Sequence, residues 1–384
     1  MAQTADWLGQ LPPEIRANAF KRSDLYGTYA NNPKSFATQL RLIVLSLTLV
    51  PLKLFACIGC VLSYYLLILL GNATLSEPFK TKYMVFWGRF WTRAVLYCLG
   101  FWTIKWVYVS PEGTVSSKAP LGFKERRFGG YVSNHCSWVD IVLYMSRLFP
   151  SFVAKKEVSA LPLVGPISKA MQCLFVDREA RLASDKLGDG GGQGMSQLVK
   201  DRMQRKHEGG SEELPMLLFP EGTTTNNRFM LPFKRGAFVA GVPVQPLVLK
   251  YDTSGRFSPT WDSMPGHKHI FLTMTEFSYR VTCYVLPLYT PSEEEKADPA
   301  LYAENVRQMM GKYGKIATCE DTFADKLAFF KYVTDRMAHE KGCCTDPAAC
   351  KSGKAHGIRA GVQHRVQVEA RAETEGEGLR HRGD

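Results

Sequence analysis

The chain has 384 residues, a formal net charge of +12, 45% hydrophobic residues and 22% charged ones. That balance excludes a disordered chain and a small disulfide scaffold, and by length it leaves room for two to three domains. A mean hydropathy of −0.14, with the long apolar runs confined to one end, excludes a many-spanning transporter. The cation excess calls for a polyanionic partner: nucleic acid, an anionic membrane face or a phosphate-rich small molecule.

In chain order, residues 1–40 carry charges throughout and no early apolar stretch, so no secretory signal opens the chain and a cytosolic segment is expected. The ten cysteines are scattered and read as reduced thiols facing the cytosol. Leu42 to Leu70 is apolar except for Lys53. As one straight helix it would run roughly 43 Å, against about 30 Å of hydrocarbon. A tilted span kinked at Pro51 and a re-entrant hairpin both fit, and the flanking Arg41, Lys80, Lys82, Arg89 and Arg93 do not choose between them. Tyr83 to Val109 mixes Trp87, Trp91, Trp102 and Trp106 with Arg89, Arg93 and Lys105, which predicts an interfacial helix broken at Gly100. The membrane-anchoring helices are thus placed at 41–109.

From about residue 110 the pattern turns α/β. Phe128 to Ser133, Met216 to Phe219 and Val244 to Leu249 read as strands, and Ile270 to Phe277 with Tyr279 to Leu286 as a strand pair. Trp138 to Leu148, Pro299 to Lys312 and Thr322 to His339 read as helices. Alternation of this kind predicts a mixed sheet flanked by helices, with an N-terminal membrane-embedded helix or helical hairpin. The glycine-rich run Gly188 to Gly194 reads as a flexible loop and lacks the ending of a phosphate-binding P-loop. Residues 341–384, rich in Gly, Ala, Arg, Glu and His, predict a disordered tail. Its Cys343, Cys344, Cys350 and His356 are too irregularly spaced to read as a zinc site.

Two strings carry chemistry. In Ser133 to Asp140 (SNHCSWVD) a strand ends, His135 sits in the turn, and a helix begins. Ser137 and Asp140 have the spacing of a capping box, which is reason enough for Asp140. The same carboxylate, in the first helical turn, can also hold one ring nitrogen of His135 and raise the basicity of the other, a compact general base with its orienting partner. In the second string, Leu218 to Arg228 (LFPEGTTTNNR), a strand end presents a carboxylate, backbone N–H groups and hydroxyls where ligands of α/β sheets bind.

Together with Cys173 to Arg178 (CLFVDR) and Val242 to Pro246 (VPVQP), these strings resemble the four ordered blocks of the glycerolipid acyltransferases. Within that superfamily the chain looks most like the lysophosphatidylcholine and lysophosphatidylethanolamine acyltransferases, through Glu221 to Phe238, Val242 to Tyr251 and Tyr289 to Met310. The resemblance implies a catalytic domain at 110–340 that moves an acyl chain from acyl-CoA to the free hydroxyl of a lysophospholipid, with His135 as base and Asp140 orienting it. It implies that Asn134, Arg178, Glu221, Gly222, Thr223 and Lys234 bind substrate. Acyl-CoA enters as a co-substrate, and no cofactor or metal is expected. Lys155, Lys156, Lys169, Lys234 and Arg235 are candidate contacts for its phosphates. The membrane is a partner and nucleic acid is not, since no nucleic-acid-binding motif accompanies the basic residues. The implied place is the endoplasmic reticulum membrane with the catalytic domain toward the cytosol. Lysophosphatidate as acceptor and a non-catalytic membrane adaptor are the alternatives. Two departures stand out: Gln172 occupies a place usually held by glycine, and Thr224 one often held by arginine.

Overall fold

The computed structural model describes residues 16–340, apart from 31, 33, 121, 123–126, 177–190, 210–211, 253–254, 256 and 262–263. The expected disordered tail and Arg178 lie outside the described residues, as does part of the glycine-rich run, whose last residues open a helix at Gly191.

Helix α1 (Phe36–Leu47) starts where the Ser35 hydroxyl accepts the Thr38 N–H. The apolar run breaks at Thr48, not at Pro51. Helix α2 (Leu49–Thr74) therefore carries Pro51 in its first turn, where the missing N–H costs nothing and no kink is needed. It buries one stripe, Lys53, Cys57, Tyr64, Ile68 and Gly71, and leaves the rest of its apolar surface exposed. Helix α3 (Phe79–Leu99) packs back against it. Gly88 makes the close approach possible: a Cβ there would lie 2.1 Å from the Phe149 ring and 2.7 Å from the Tyr64 hydroxyl. Lys53, the one charge in the apolar run, points inward, its Nζ donating to the carbonyls of Leu99 (3.1 Å) and Glu276 (2.5 Å). The limb that packs back along α2 is thus α3, and α2 itself runs unbroken from Leu49 to Thr74.

After Gly100 the chain becomes strand β1 (Thr103–Val109). The expected interfacial helix over Tyr83 to Val109 is therefore helical only to Leu99, and Trp106 belongs to the sheet. The β-branched and aromatic TIKWVYV segment finds a parallel partner in strand β9 (Arg280–Val285), and this pairing overrides the helical spacing of Trp102 and Trp106.

The main sheet adds β2 (Val115–Ser116), β3 (Gly130–Ser133), β6 (Met216–Leu218), β8 (Val244–Tyr251) and β9 (Arg280–Val285) in the order β2-β1-β9-β8-β3-β6. β8 runs antiparallel to β9, and β3 is parallel to both β8 and β6. Two small parallel pairs lie outside it: β4 (Val153–Lys155) with β5 (Leu174–Val176), and β7 (Phe229–Met230) with β10 (Ala317–Thr318). Helices α4 (Val139–Met145), α5 (Val164–Ala170), α6 (Gly191–Glu208), α7 (Gly266–Met274), α8 (Glu293–Ala297), α9 (Pro299–Gly314) and α10 (Phe323–Glu340) complete the body. The strand expected at Ile270 to Phe277 is α7: it buries His269, Leu272, Thr273 and Met274 on one face. A short apolar run of this kind suits either element, and packing decides.

The core lies on both faces of the sheet. One cluster joins the hairpin, α4 and α7 to β8 and β9; the other packs α6 and α9 against β3 and β8. The described part of the N-terminal segment packs on the body as well. Phe20 meets Leu231, Phe329 and Val333, the Ala19 N–H donates to Asp321 (3.0 Å), and Arg22 binds Asp24 and the carbonyls of Ser258 and Thr260.

Candidate active site

Strands β3 and β6 run parallel and end side by side. His135 follows the first and Glu221 the second, at the carboxyl edge where open α/β sheets bind ligands. The His135 Nδ1 lies 2.9 Å from Asp140 Oδ2. The same oxygen accepts the backbone N–H groups of Cys136 (2.6 Å) and Ser137 (2.9 Å). The expected capping box does not form, since Trp138 is the N-cap without a side-chain cap bond and the Asp140 N–H donates to the Ser137 carbonyl; the Asp140 carboxylate nonetheless gathers the N–H groups ahead of α4 and holds the ring. The imidazole lies flat on Phe219, ring centres 4.1 Å apart, and Phe219 stacks on Phe152. Its side chain stays 18% exposed while Asp140 is fully buried. Nε2 has no hydrogen-bond partner among the described residues, so it is the nitrogen left to take a proton from a ligand.

Glu221 is buried beneath the histidine. Its carboxyl accepts the N–H of His135 (2.8 Å) and of Leu231 (3.0 Å), which ties the two strand ends together. Burial raises its pKa to about 8, against the opposing pull of those two N–H groups. It faces the backbone, not open space. Gly222 has φ +70°, a left-handed turn that glycine takes without strain, and the Lys234 stem passes over it: a Cβ there would stand 3.0 Å from Lys234 Cε. Asn134 is buried, and its amide exchanges hydrogen bonds with the backbone of Leu249 on β8 (3.0 and 2.8 Å). This side chain anchors the turn to the sheet, with no edge toward a ligand. Cys136 is fully buried, and its thiol is pushed far up by burial and by Asp140 and Glu221, which removes it as a nucleophile. Among the described residues no three His, Cys, Asp or Glu side chains gather as a metal site.

Gln172 adopts φ +54°, the left-handed conformation that a glycine would favour. Its side-chain oxygen accepts the Leu214 N–H (2.8 Å), and its carbonyl accepts Ser151 and Arg202 (2.6 Å each), so hydrogen bonds hold the bend. Lys155 ends β4 in register with Val176 of β5, and Lys169 lies in the last turn of α5.

Four residues of the site are not assigned by the sequence. The Tyr251 hydroxyl, at the end of β8, donates to Asp140 Oδ1 and occupies the second carboxylate oxygen. Burial and the Asp140 charge push its phenol far up, so it stays a donor. Asn227, at φ +65°, donates to the Leu249 carbonyl and accepts the Tyr251 N–H (2.8 Å each). Phe219 forms the floor under the imidazole. Lys326, on α10, reaches over to donate to the hydroxyls of Thr223 and Thr224 (2.9 Å each) and to the Thr224 carbonyl (2.6 Å). Tyr251 and Asn227 lie within the strings that carry the family resemblance; Lys326 has no motif around it.

The family model described as Acyltransferase matches residues 123–250. The chain is 36% identical over 360 residues to the Lysophospholipid acyltransferase LPEAT1 of Arabidopsis thaliana, covering 84% of this chain and 87% of the relative. It is 31% identical over 296 residues to the Lysophosphatidylcholine acyltransferase of Drosophila melanogaster, covering 75% of this chain and about half (51%) of that relative. Among solved structures, the 1-acyl-sn-glycerophosphate acyltransferase PlsC of Thermotoga maritima matches with a TM-score of 0.44 at 20% identity, over 71% of this chain and 98% of that one.

Proposed function

Because the chain belongs to the glycerolipid acyltransferase superfamily, among its lysophospholipid acyltransferases, we propose that it moves an acyl chain from acyl-CoA to the free hydroxyl of a lysophospholipid, with lysophosphatidylcholine or lysophosphatidylethanolamine preferred. The observation that carries the reading is the 2.9 Å contact of His135 Nδ1 with a buried Asp140, which leaves Nε2 open to a ligand.

Nε2 takes the hydroxyl proton as the acceptor oxygen attacks the thioester carbonyl carbon. Asp140 keeps the proton on Nδ1 and balances the imidazolium that forms. The tetrahedral intermediate collapses with cleavage of the carbon–sulfur bond. The leaving thiolate of coenzyme A takes the proton back from Nε2, so the enzyme ends unchanged and no covalent intermediate forms on it. The Glu221-Gly222-Thr223 turn, with the Lys234 stem across it, supports the acceptor's glycerol-phosphate. Glu221 acts there by fixing the backbone of His135.

The hairpin of α2 and α3 supports a membrane-bound stance. Among the described residues one helix, Leu49–Thr74, is long and apolar enough to cross a bilayer. Yet α2 and α3 both pack on the body, so the reading preferred here is a hairpin lying at the lipid boundary with the catalytic edge facing the cytosol, at the endoplasmic reticulum membrane.

The test is His135→Ala assayed with labelled acyl-CoA and a panel of lysophospholipids that includes lysophosphatidate. Turnover is expected to fall about 10²–10⁴-fold with vesicle binding intact. Unchanged turnover would refute the assigned base. A parent protein that turns over no acceptor would favour the adaptor alternative, and preference for lysophosphatidate would move the acceptor class.

A further inference from the structure

The outer side of α3 carries a groove that includes none of His135, Asp140 or Glu221. Its volume is about 800 Å³, and α3 contributes Lys82, Phe86, Arg89, Phe90, Arg93 and Tyr97 to its wall. These residues recur every three or four positions and so form one stripe, while Met84, Gly88, Thr92, Leu96 and Leu99 face the core. The remaining wall comes from Ser146, just after α4, and Leu214, just before β6. Both lie away from the end of the sheet where His135 precedes α4.

Three cations line the groove, and none has a carboxylate partner among the described residues. The two guanidinium groups are braced by backbone. Arg89 donates to the Leu148 carbonyl (3.2 Å), and Arg93 to those of Phe101 (3.0 Å) and Trp102 (2.7 Å) while lying 4.2 Å over the Tyr97 ring. A guanidinium has five N–H donors, so each keeps donors for an anion. Between the cations stand Phe86 and Phe90, 63% and 53% exposed. Uncompensated charge interleaved with exposed rings suits an anion with an apolar body. A small water-soluble anion would leave the rings uncovered, and a zwitterionic lipid would leave the surplus cations unbalanced.

We propose that this groove binds one anionic phospholipid of the membrane, its phosphate on Arg89 and Arg93 and an acyl chain along Phe86 and Phe90. Thr81 at the groove also lines a neighbouring pocket with Leu69 of α2, which exposes Leu62, Leu66 and Leu69, and on the proposed membrane reading this sets the groove near the lipid headgroups. The site is independent of the His135 chemistry and stands or falls without it.

The experiment uses the full chain in mild detergent with added phosphatidylserine or phosphatidylcholine, read by native mass spectrometry, and vesicles of phosphatidylcholine with or without phosphatidylserine. One phosphatidylserine per chain should be retained, and no phosphatidylcholine. Arg89→Gln/Arg93→Gln should lose it and weaken the phosphatidylserine-dependent vesicle binding roughly thirtyfold. Phe86→Glu/Phe90→Glu leaves the backbone braces untouched and should do the same, which covers the case in which the arginine variant misfolds. Arg205→Gln/Arg280→Gln removes equal charge elsewhere and should change little. An equal loss in that control would reduce the effect to diffuse net charge. Failure to retain phosphatidylserine, or its displacement by coenzyme A, would overturn the proposal.

Discussion

The α2–α3 hairpin and the β3–β6 edge of the sheet each bury a charge inside apolar surroundings, and they do so in opposite ways. In the hairpin Lys53 is held by two backbone carbonyls, and the exposed side of α2 is dominated by apolar side chains such as Phe55, Leu62 and Leu66. At the sheet edge Asp140 is held by two backbone N–H groups and a tyrosine, and what faces outward is a polar imidazole edge. Monomeric soluble proteins rarely leave a continuous apolar face of that extent open to water. On the proposed reading the hairpin meets lipid on one side and protein on the other, while the sheet edge presents one nitrogen to a reactant, so that anchoring and chemistry fall to separate surfaces.

If the surfaces are separate, they break separately. The largest effect is expected from Phe55→Glu/Leu62→Glu/Leu66→Glu. Three exposed apolar side chains become charged, so vesicle binding should weaken at least a thousandfold. Turnover of short-chain, water-soluble acceptor and donor should stay unchanged, and a parallel fall in both would merge the two regions into one. A smaller effect is expected from Lys326→Met, which strips the charge-assisted bonds from the Thr223-Thr224 turn. The KM for lysophospholipid should rise about tenfold with kcat nearly constant, and Lys326→Arg should recover part of it. A fall in kcat alone would place Lys326 outside acceptor binding. The smallest effect is a slope. Buried Glu221 holds its proton to about pH 8, whereas an ordinary glutamate releases it near 4.5. In that window the folded state binds more protons than the unfolded chain, so this group's contribution is complete below about 4.5 and is lost as pH rises toward 8. Thermal midpoints measured across this range should decline less in Glu221→Gln than in the parent, and equal slopes would mean that Glu221 does not titrate as described.

Much of the candidate site was legible because it is local. His135, Ser137 and Asp140 lie within one strand–turn–helix junction, and a carboxylate in the first turn can reach only a few groups, all of them near in sequence. The strands at 130–133, 216–218 and 244–251 were legible for a similar reason: each is a short buried run between turn signals. Legibility failed where two elements share one composition. Trp102 and Trp106 have helical spacing, yet both lie beyond the helix end and Trp106 sits in a strand, and Ile270 to Phe277 has the look of a strand yet packs as α7. In both places the partner across the sheet or the core, absent from the local string, made the choice.

The order of residues alone determined that an imidazole and a carboxylate would meet at residues 135 and 140, because backbone geometry over five residues leaves little freedom. It also determined that residues 42–70 could not stay in water unaided. Only the tertiary structure decided that Tyr251 would close the second oxygen of Asp140, that Lys326 would brace a turn 102 positions away, and that α2 would lie doubled against α3 on the body. Contacts of such separation are set by how sheets and helices pack, and packing depends on the whole set of buried surfaces at once.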